Sequence, residues 1–176
     1  GTDIVASWAL VTSEGIIQID SLNNSEDARN IIIAGYKKLG LDPAQMKYLV
    51  LTHGHDDHFG GAKYLQDTYH PRVLMSTVDW DMIAKLRAVR PGFGQPPTRD
   101  MEIVDGQKLT LGKTTLAFYL TPGHTLGTVS MLVPVTDKGT PHVLSFWGGS
   151  ALPRELESRG EAGRMDAGLT VYKQSL

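Results

Sequence analysis

Three of the chain's six histidines fall within six positions, in Thr52-His53-Gly54-His55-Asp56-Asp57-His58-Phe59-Gly60-Gly61. In an extended segment, residues i and i+2 project to the same side, so His53 and His55 can converge on one ion. Gly54 between them lets the backbone come close. Asp57 and His58 are sequential and point elsewhere, which suits them to a second ion beside the first. Imidazole nitrogen and carboxylate oxygen both ligate Zn2+ at about 2.0–2.2 Å, and a site with an open position ionises bound water near neutral pH. The spacing reads as dinuclear, against the plainer alternative of a solvated polar loop. Asp56 stands outside this pattern and either caps the following helix or supports an imidazole N–H.

These residues need a scaffold, and the sequence supplies one. Lys47-Tyr48-Leu49-Val50-Leu51-Thr52 is a near-continuous apolar run of strand length that stops at the histidines, the pattern of a buried strand delivering a functional loop. Upstream, Ile4 to Thr12 and Gly15 to Asp20 flank Ser13-Glu14 and read as a hairpin. Ser25 as N-cap, acidic Glu26 and Asp27, basic Lys37 and Lys38, and Gly40 as the stop predict a helix over about 26–39. Downstream the pattern predicts a helix over 62–69, a strand over 72–76, and a helix over 78–87 capped by Thr77. The Pro- and Gly-rich segment from Pro91 to Pro97 breaks both helix and strand and is the best lid candidate. Strands follow near 101–104, 108–111, 114–120, 127–133 and 142–147. After Pro153 the chain is charged and Gly-interrupted, with Arg154 to Arg164 a solvated face and Ala167 to Leu176 able to begin a helix. Strands and helices interleaved in this way predict a layered α/β or α+β fold with helices covering sheet faces.

At 176 residues the chain fits one domain. Seventeen basic against nineteen acidic residues give a net charge of -2, which offers no electrostatic footprint for nucleic acid or an anionic membrane. No apolar run approaches the roughly 20 residues of a membrane helix. The absence of cysteine excludes a disulfide framework, thiolate ligands and thiol nucleophiles. The chain opens at Gly1 without an apolar leader, which leaves the compartment open: periplasmic or secreted if a leader was removed, cytoplasmic otherwise.

The HxHxDH pattern after a hydrophobic strand resembles the signature of the metallo-β-lactamase superfamily of zinc hydrolases. Thr121-Pro122-Gly123-His124-Thr125-Leu126-Gly127, between two predicted strands, is similar to that superfamily's next histidine loop. The resemblance spans roughly Ile4 to Pro153 and includes Ile19-Asp20, which looks like the family's hairpin end. It implies an αβ/βα sandwich with metals at one sheet edge. His53, His55 and His124 would hold the first zinc, and Asp57 and His58 the second. Asp57 would also orient an attacking metal-bound hydroxide, giving a hydrolase of amide or ester-type bonds in a small-molecule substrate.

The sequence departs from the family pattern twice. Many members carry a bridging Asp or Cys on the loop that here reads Gly148-Gly149-Ser150-Ala151-Leu152. With Ser150 at that position the pattern resembles the third metallo-β-lactamase subclass, where serine does not ligate; with Gly149 there, the ligand is missing. A further histidine expected from a later loop has no counterpart, since none follows His142. The expectation is a single domain over 1–176 lacking its final elements, whose bared faces a partner chain or self-association would cover. It would hold two zinc ions if the missing histidine is supplied, otherwise one. Ser150 and the polar stretch Pro134 to His142, read as a turn similar to one in third-subclass lactamases, tilt the substrate toward a β-lactam. A thioester or lactone is the alternative within the superfamily. The rival of another class is a metal-binding but non-catalytic or truncated domain.

Other residues have plainer readings. His142 reads as a surface or turn residue and His70 as a helix-end base. Trp8, Phe93 and Trp147 either line a pocket or simply pack. Ser150 lacks the G-x-S-x-G surroundings of a serine nucleophile.

Overall fold

The computed structural model describes residues 1–2, 5–89 and 95–149. Phe93, Ser150, most of the lid candidate and the two segments after Pro153 lie outside the described residues.

The expected opening hairpin forms from β1 (Trp8–Thr12) and β2 (Gly15–Ile19), paired antiparallel. Next, β2 pairs parallel with β3 (Met46–Val50), β3 with β4 (Arg72–Ser76), and β4 with β5 (Met101–Ile103), giving a five-stranded sheet in chain order. The second sheet is an antiparallel meander of β6 (Lys108–Leu111), β7 (Thr114–Leu120), β8 (Val129–Asp137) and β9 (Thr140–Phe146).

The central strands of the first sheet are buried on both faces, which explains why β3 and β4 read as near-continuous apolar runs rather than alternating ones. Leu49, Val73 and Met75 face the helices with Ile33, Tyr36, Phe59, Leu65 and Ile83. Val50 and Leu74 point the other way, into a layer shared with Leu109, Leu116, Phe118, Val129 and Met131 from the second sheet. The order is therefore helices, sheet, sheet. Among the described residues no helix covers the outer face of the second sheet, where Leu132 of β8 and Val143 of β9 are 38% and 66% exposed. No helix among the described residues is long and apolar enough to cross a membrane.

The predicted helix over 26–39 is a continuous run of α1 (Ser25–Asp27), a π-helical stretch (Ala28–Ile33) and α2 (Ala34–Lys38). Its cap is Asn24, not Ser25, because the Asn24 side chain accepts the Asp27 amide at 2.9 Å. After α3 (Asp56–Phe59), helix α4 (Ala62–Tyr69) matches the expected span, and His70 ends it in the left-handed conformation. Helix α5 (Thr77–Val89) begins at the residue expected to cap it; Ser76 Oγ takes that role by accepting the Asp79 amide at 3.3 Å.

The stretch Pro134 to His142 is not a polar turn. Strand β8 runs on to Asp137 and β9 starts at Thr140, joined by Lys138 and Gly139, both at positive φ, as in a type I′ hairpin. Proline is tolerated within β8 because pairing with β7 ends at Leu132 and leaves Pro134 only one neighbouring strand. His142 is thus an exposed strand residue opposite Val135.

The inter-sheet layer fixes how the second sheet's loops meet those of the first. Phe118→Ala, which empties a fully buried site there, should lower unfolding free energy by about 3–5 kcal/mol. A urea titration checks this; a loss below about 1 kcal/mol would show that the sheets do not depend on this contact.

Candidate metal centre

The histidine loop emerges where β3 ends beside β4, with Leu51 N donating to Leu74 O at 2.8 Å. The second sheet clasps it there, since Val129 N at the start of β8 donates to Thr52 O at 2.8 Å. Gly54 meets the expectation of close approach: a Cβ on it would lie 2.6 Å from Met82 Cε and 3.2 Å from Ile83 Cγ1. His124 comes from the β7–β8 connection, which is closed by Thr121 N to Thr128 O at 2.9 Å and Gly123 N to Thr125 O at 2.9 Å.

Three ring nitrogens converge across these loops. His124 Nε2 lies 3.1 Å from His53 Nε2 and 3.1 Å from His55 Nδ1. Nitrogen ligands at about 2.0–2.1 Å in tetrahedral coordination are about 3.3 Å apart, so the spacing fits a metal ion. His53, Asp57 and His58 form a second group whose ligand atoms lie within 4.8 Å of one another. His53 therefore belongs to both groups, which its i, i+2 relation to His55 does not reveal. The Asp57 Oδ2 to His58 Nε2 distance is 3.9 Å.

A carboxylate that the spacing argument passed over fixes His58. Asp20, just after β2, is buried, and its Oδ2 lies 2.8 Å from His58 Nδ1. It also accepts the Thr52 amide and hydroxyl, each at 2.8 Å. The hydrogen bond on Nδ1 orients the ring and leaves Nε2 facing Asp57. The available signal was an acid at the end of a buried strand adjoining the one that leads to His53.

The remaining candidates separate clearly. Asp56 sits in the first turn of α3, where His55 occupies the cap position. It neither caps the helix nor bonds a ring, and reaches His55 only through its charge. Gly149 lies against the imidazole of His124, where a Cβ would fall 2.6 Å from its Cδ2. It has no side chain to ligate with. Trp147 is exposed, and Trp8 is exposed and packs edge-on against Phe146, with ring centroids 6.3 Å apart.

Burial, followed by the neighbouring imidazoles, holds His53 well below the usual histidine range. His55 is pushed down by burial and by His124. For His58 burial acts downward, but the hydrogen bond and charge of Asp20 outweigh it and the net shift is upward. A neutral imidazole, the form that burial favours for His53 and His55, is the form that can ligate a cation.

These shifts have a sign that can be tested in the metal-free protein. Below about pH 6.5 the unfolded chain takes up protons at His53 and His55 that the folded chain refuses, so stability falls as pH drops. His58 opposes this, because its contribution is complete below the unfolded pKa and is lost as pH rises through the folded one. Urea midpoints should decrease from pH 7.5 to 5.5, and His58→Gln should steepen the decrease. A midpoint that rises over this window would contradict the assignment.

Comparison with known proteins agrees with the geometry. Residues 1–137 match the family description "Metallo-beta-lactamase superfamily". The chain is 31% identical over 141 residues to the N-acyl homoserine lactonase AttM of Azorhizobium caulinodans, covering 72% of this chain and 53% of that protein. It is 32% identical over 88 residues to the hydroxyacylglutathione hydrolase of Acidiphilium cryptum, covering 50% of this chain and 31% of that protein. The chain thus spans about half or less of the length of these curated relatives. Native FEZ-1 metallo-beta-lactamase from Legionella gormanii superposes with a TM-score of 0.80 at 25% identity, covering 96% of this chain and 66% of that one. With its sheets stacked in this order and its histidine loops meeting at one edge, the chain belongs to the metallo-beta-lactamase superfamily.

Proposed function

We propose that this chain carries the metal centre of a zinc-dependent hydrolase that opens an acyl bond in a small molecule. The observation that carries this reading is the convergence of His53 Nε2, His55 Nδ1 and His124 Nε2, with 3.1 Å between His124 and each of the others. Zinc, when bound, supplies Lewis acidity toward a carbonyl oxygen and lowers the pKa of a coordinated water. The chain's residues do the rest. His53 and His55 stay neutral at physiological pH, so their lone pairs are free to ligate. Asp57, about one-third exposed and 3.9 Å from His58 Nε2, can accept a proton from a water and orient it. Asp20 keeps His58 from rotating.

His53, His55 and His124 would hold a first zinc with three protein ligands, the number found in catalytic sites that keep an open position. A second zinc would rest on Asp57 and His58, with His53 at the shared corner.

The substrate reading is a carbonyl in a lactone, thioester or β-lactam. The named relatives support this breadth, being a lactonase, a hydroxyacylglutathione hydrolase and a β-lactamase. The hairpin at Lys138-Gly139 removes the polar turn that favoured a β-lactam.

Zinc-loaded protein assayed with nitrocefin, an N-acyl homoserine lactone and a glutathione thioester should hydrolyse at least one of them. Chelation should abolish turnover and added zinc restore it. His124→Ala should reduce turnover by about 100-fold or more while the fold, read by circular dichroism, is kept. Bound zinc with no turnover of any substrate would favour a non-catalytic metal-binding domain.

A further inference from the structure

Beneath the two histidine loops lies a buried carboxylate that belongs to neither ligand group. Asp79, in the first turn of α5, is 0% exposed. Its Oδ2 accepts the backbone amide of Gly54 at 2.8 Å and the hydroxyl of Thr125 at 2.7 Å. Gly54 stands between His53 and His55, and Thr125 directly follows His124. A single oxygen atom thus joins the two segments that bring the three imidazoles together.

The other oxygen gives an independent sign that this placement serves more than packing. Asp79 Oδ1 is buried and receives no well-formed hydrogen bond among the described residues, although the backbone amide of Gly127 also acts on the carboxyl. It lies against Gly127, where a Cβ would fall 2.5 Å from it and overlap Ser76 Oγ. A buried, half-satisfied carboxylate is costly. Thr125 also has Thr128 as a hydroxyl partner at 2.8 Å, so the Asp79 bond is not needed merely to satisfy it. Burial pushes the Asp79 carboxyl up, and the bonds from Thr125 and from the backbone amides of Gly54 and Gly127 act against that rise.

We propose that Asp79 is a positioning residue that sets the separation of the His53–His55 segment from the His124 loop and thereby the affinity of the three-histidine site for zinc. The assignment rests on reading the three histidines as a metal site. Asp79 touches no ligand atom directly; it holds the peptide beside two ligands and the side chain beside the third. Its loss leaves the ligands in place but uncouples their loops.

The experiment measures zinc affinity by competition with a chromophoric chelator, and the visible spectrum of the cobalt-loaded protein. The proteins compared are wild type, Asp79→Asn, Asp79→Ala, Thr125→Val and the double variant Asp79→Ala/Thr125→Val. Leu65→Ala, a core truncation in α4, serves as a stability control. Asp79→Ala should weaken the first zinc by about 10–100-fold and shift the cobalt bands. Asp79→Asn keeps an oxygen for Gly54 and Thr125 and should lose less. Thr125→Val should cost little more once Asp79 is gone, so the double variant is non-additive. Leu65→Ala should lower the melting temperature but keep zinc affinity. Unchanged affinity and spectrum in Asp79→Ala, or a loss matched by Leu65→Ala, would overturn the proposal. Should Asp79→Ala fail to fold, wild-type affinity and spectra in both Asp79→Asn and Thr125→Val would overturn it equally. A wild-type protein that takes up no zinc would instead refute the metal-site reading, and Asp79's role with it.

Discussion

Three imidazole nitrogens meet within about the span of one coordinated ion, in a setting where His53 is 1% exposed. Three rings at this spacing cannot all satisfy one another, and protonating His53 to bridge its neighbours is opposed by burial. The fold must therefore hold the rings together by other means, and much of the local architecture can be understood as that restraint.

The restraint comes from two layers that share one edge. Parallel strands β3 and β4 are buried on both faces, so their ends are rigid points from which a short loop can project with little freedom. The second sheet contributes at the same edge through β7 and β8, and the Val129 to Thr52 bond joins it to the histidine loop. Carboxylates then work from below, Asp20 toward Thr52 and His58, Asp79 toward Gly54 and Thr125. Each acid is buried, at a desolvation cost against which its hydrogen bonds act.

The histidine cluster was legible in the sequence because the spacing of its first three members is local. His53 to His58 lie in one hexapeptide, and His124 sits in a Pro-Gly loop of its own. Helix α4 and strands β4, β6 and β7 were legible for the same reason, since breakers and apolar runs mark both ends. Asp20 and Asp79 were not, because their meaning depends on partners in other elements, and a single acid beside a strand or in a helix's first turn looks ordinary. The course of β8 through Pro134 was hidden because proline normally argues against a strand; only the place where β7 stops pairing removes the objection. Asn24 displaced Ser25 as the cap because both residue types suit that role, and only the backbone decides between them.

His53 belongs to both ligand groups, and this has an arithmetic consequence. A neutral imidazole carries its proton on one nitrogen and a lone pair on the other, so it can donate electrons to a single cation. Whichever ion takes His53 leaves its neighbour one donor poorer. The two groups therefore compete for one donor: a cation held by His53 together with His55 and His124 would leave only Asp57 and His58 of the second group to ligate another.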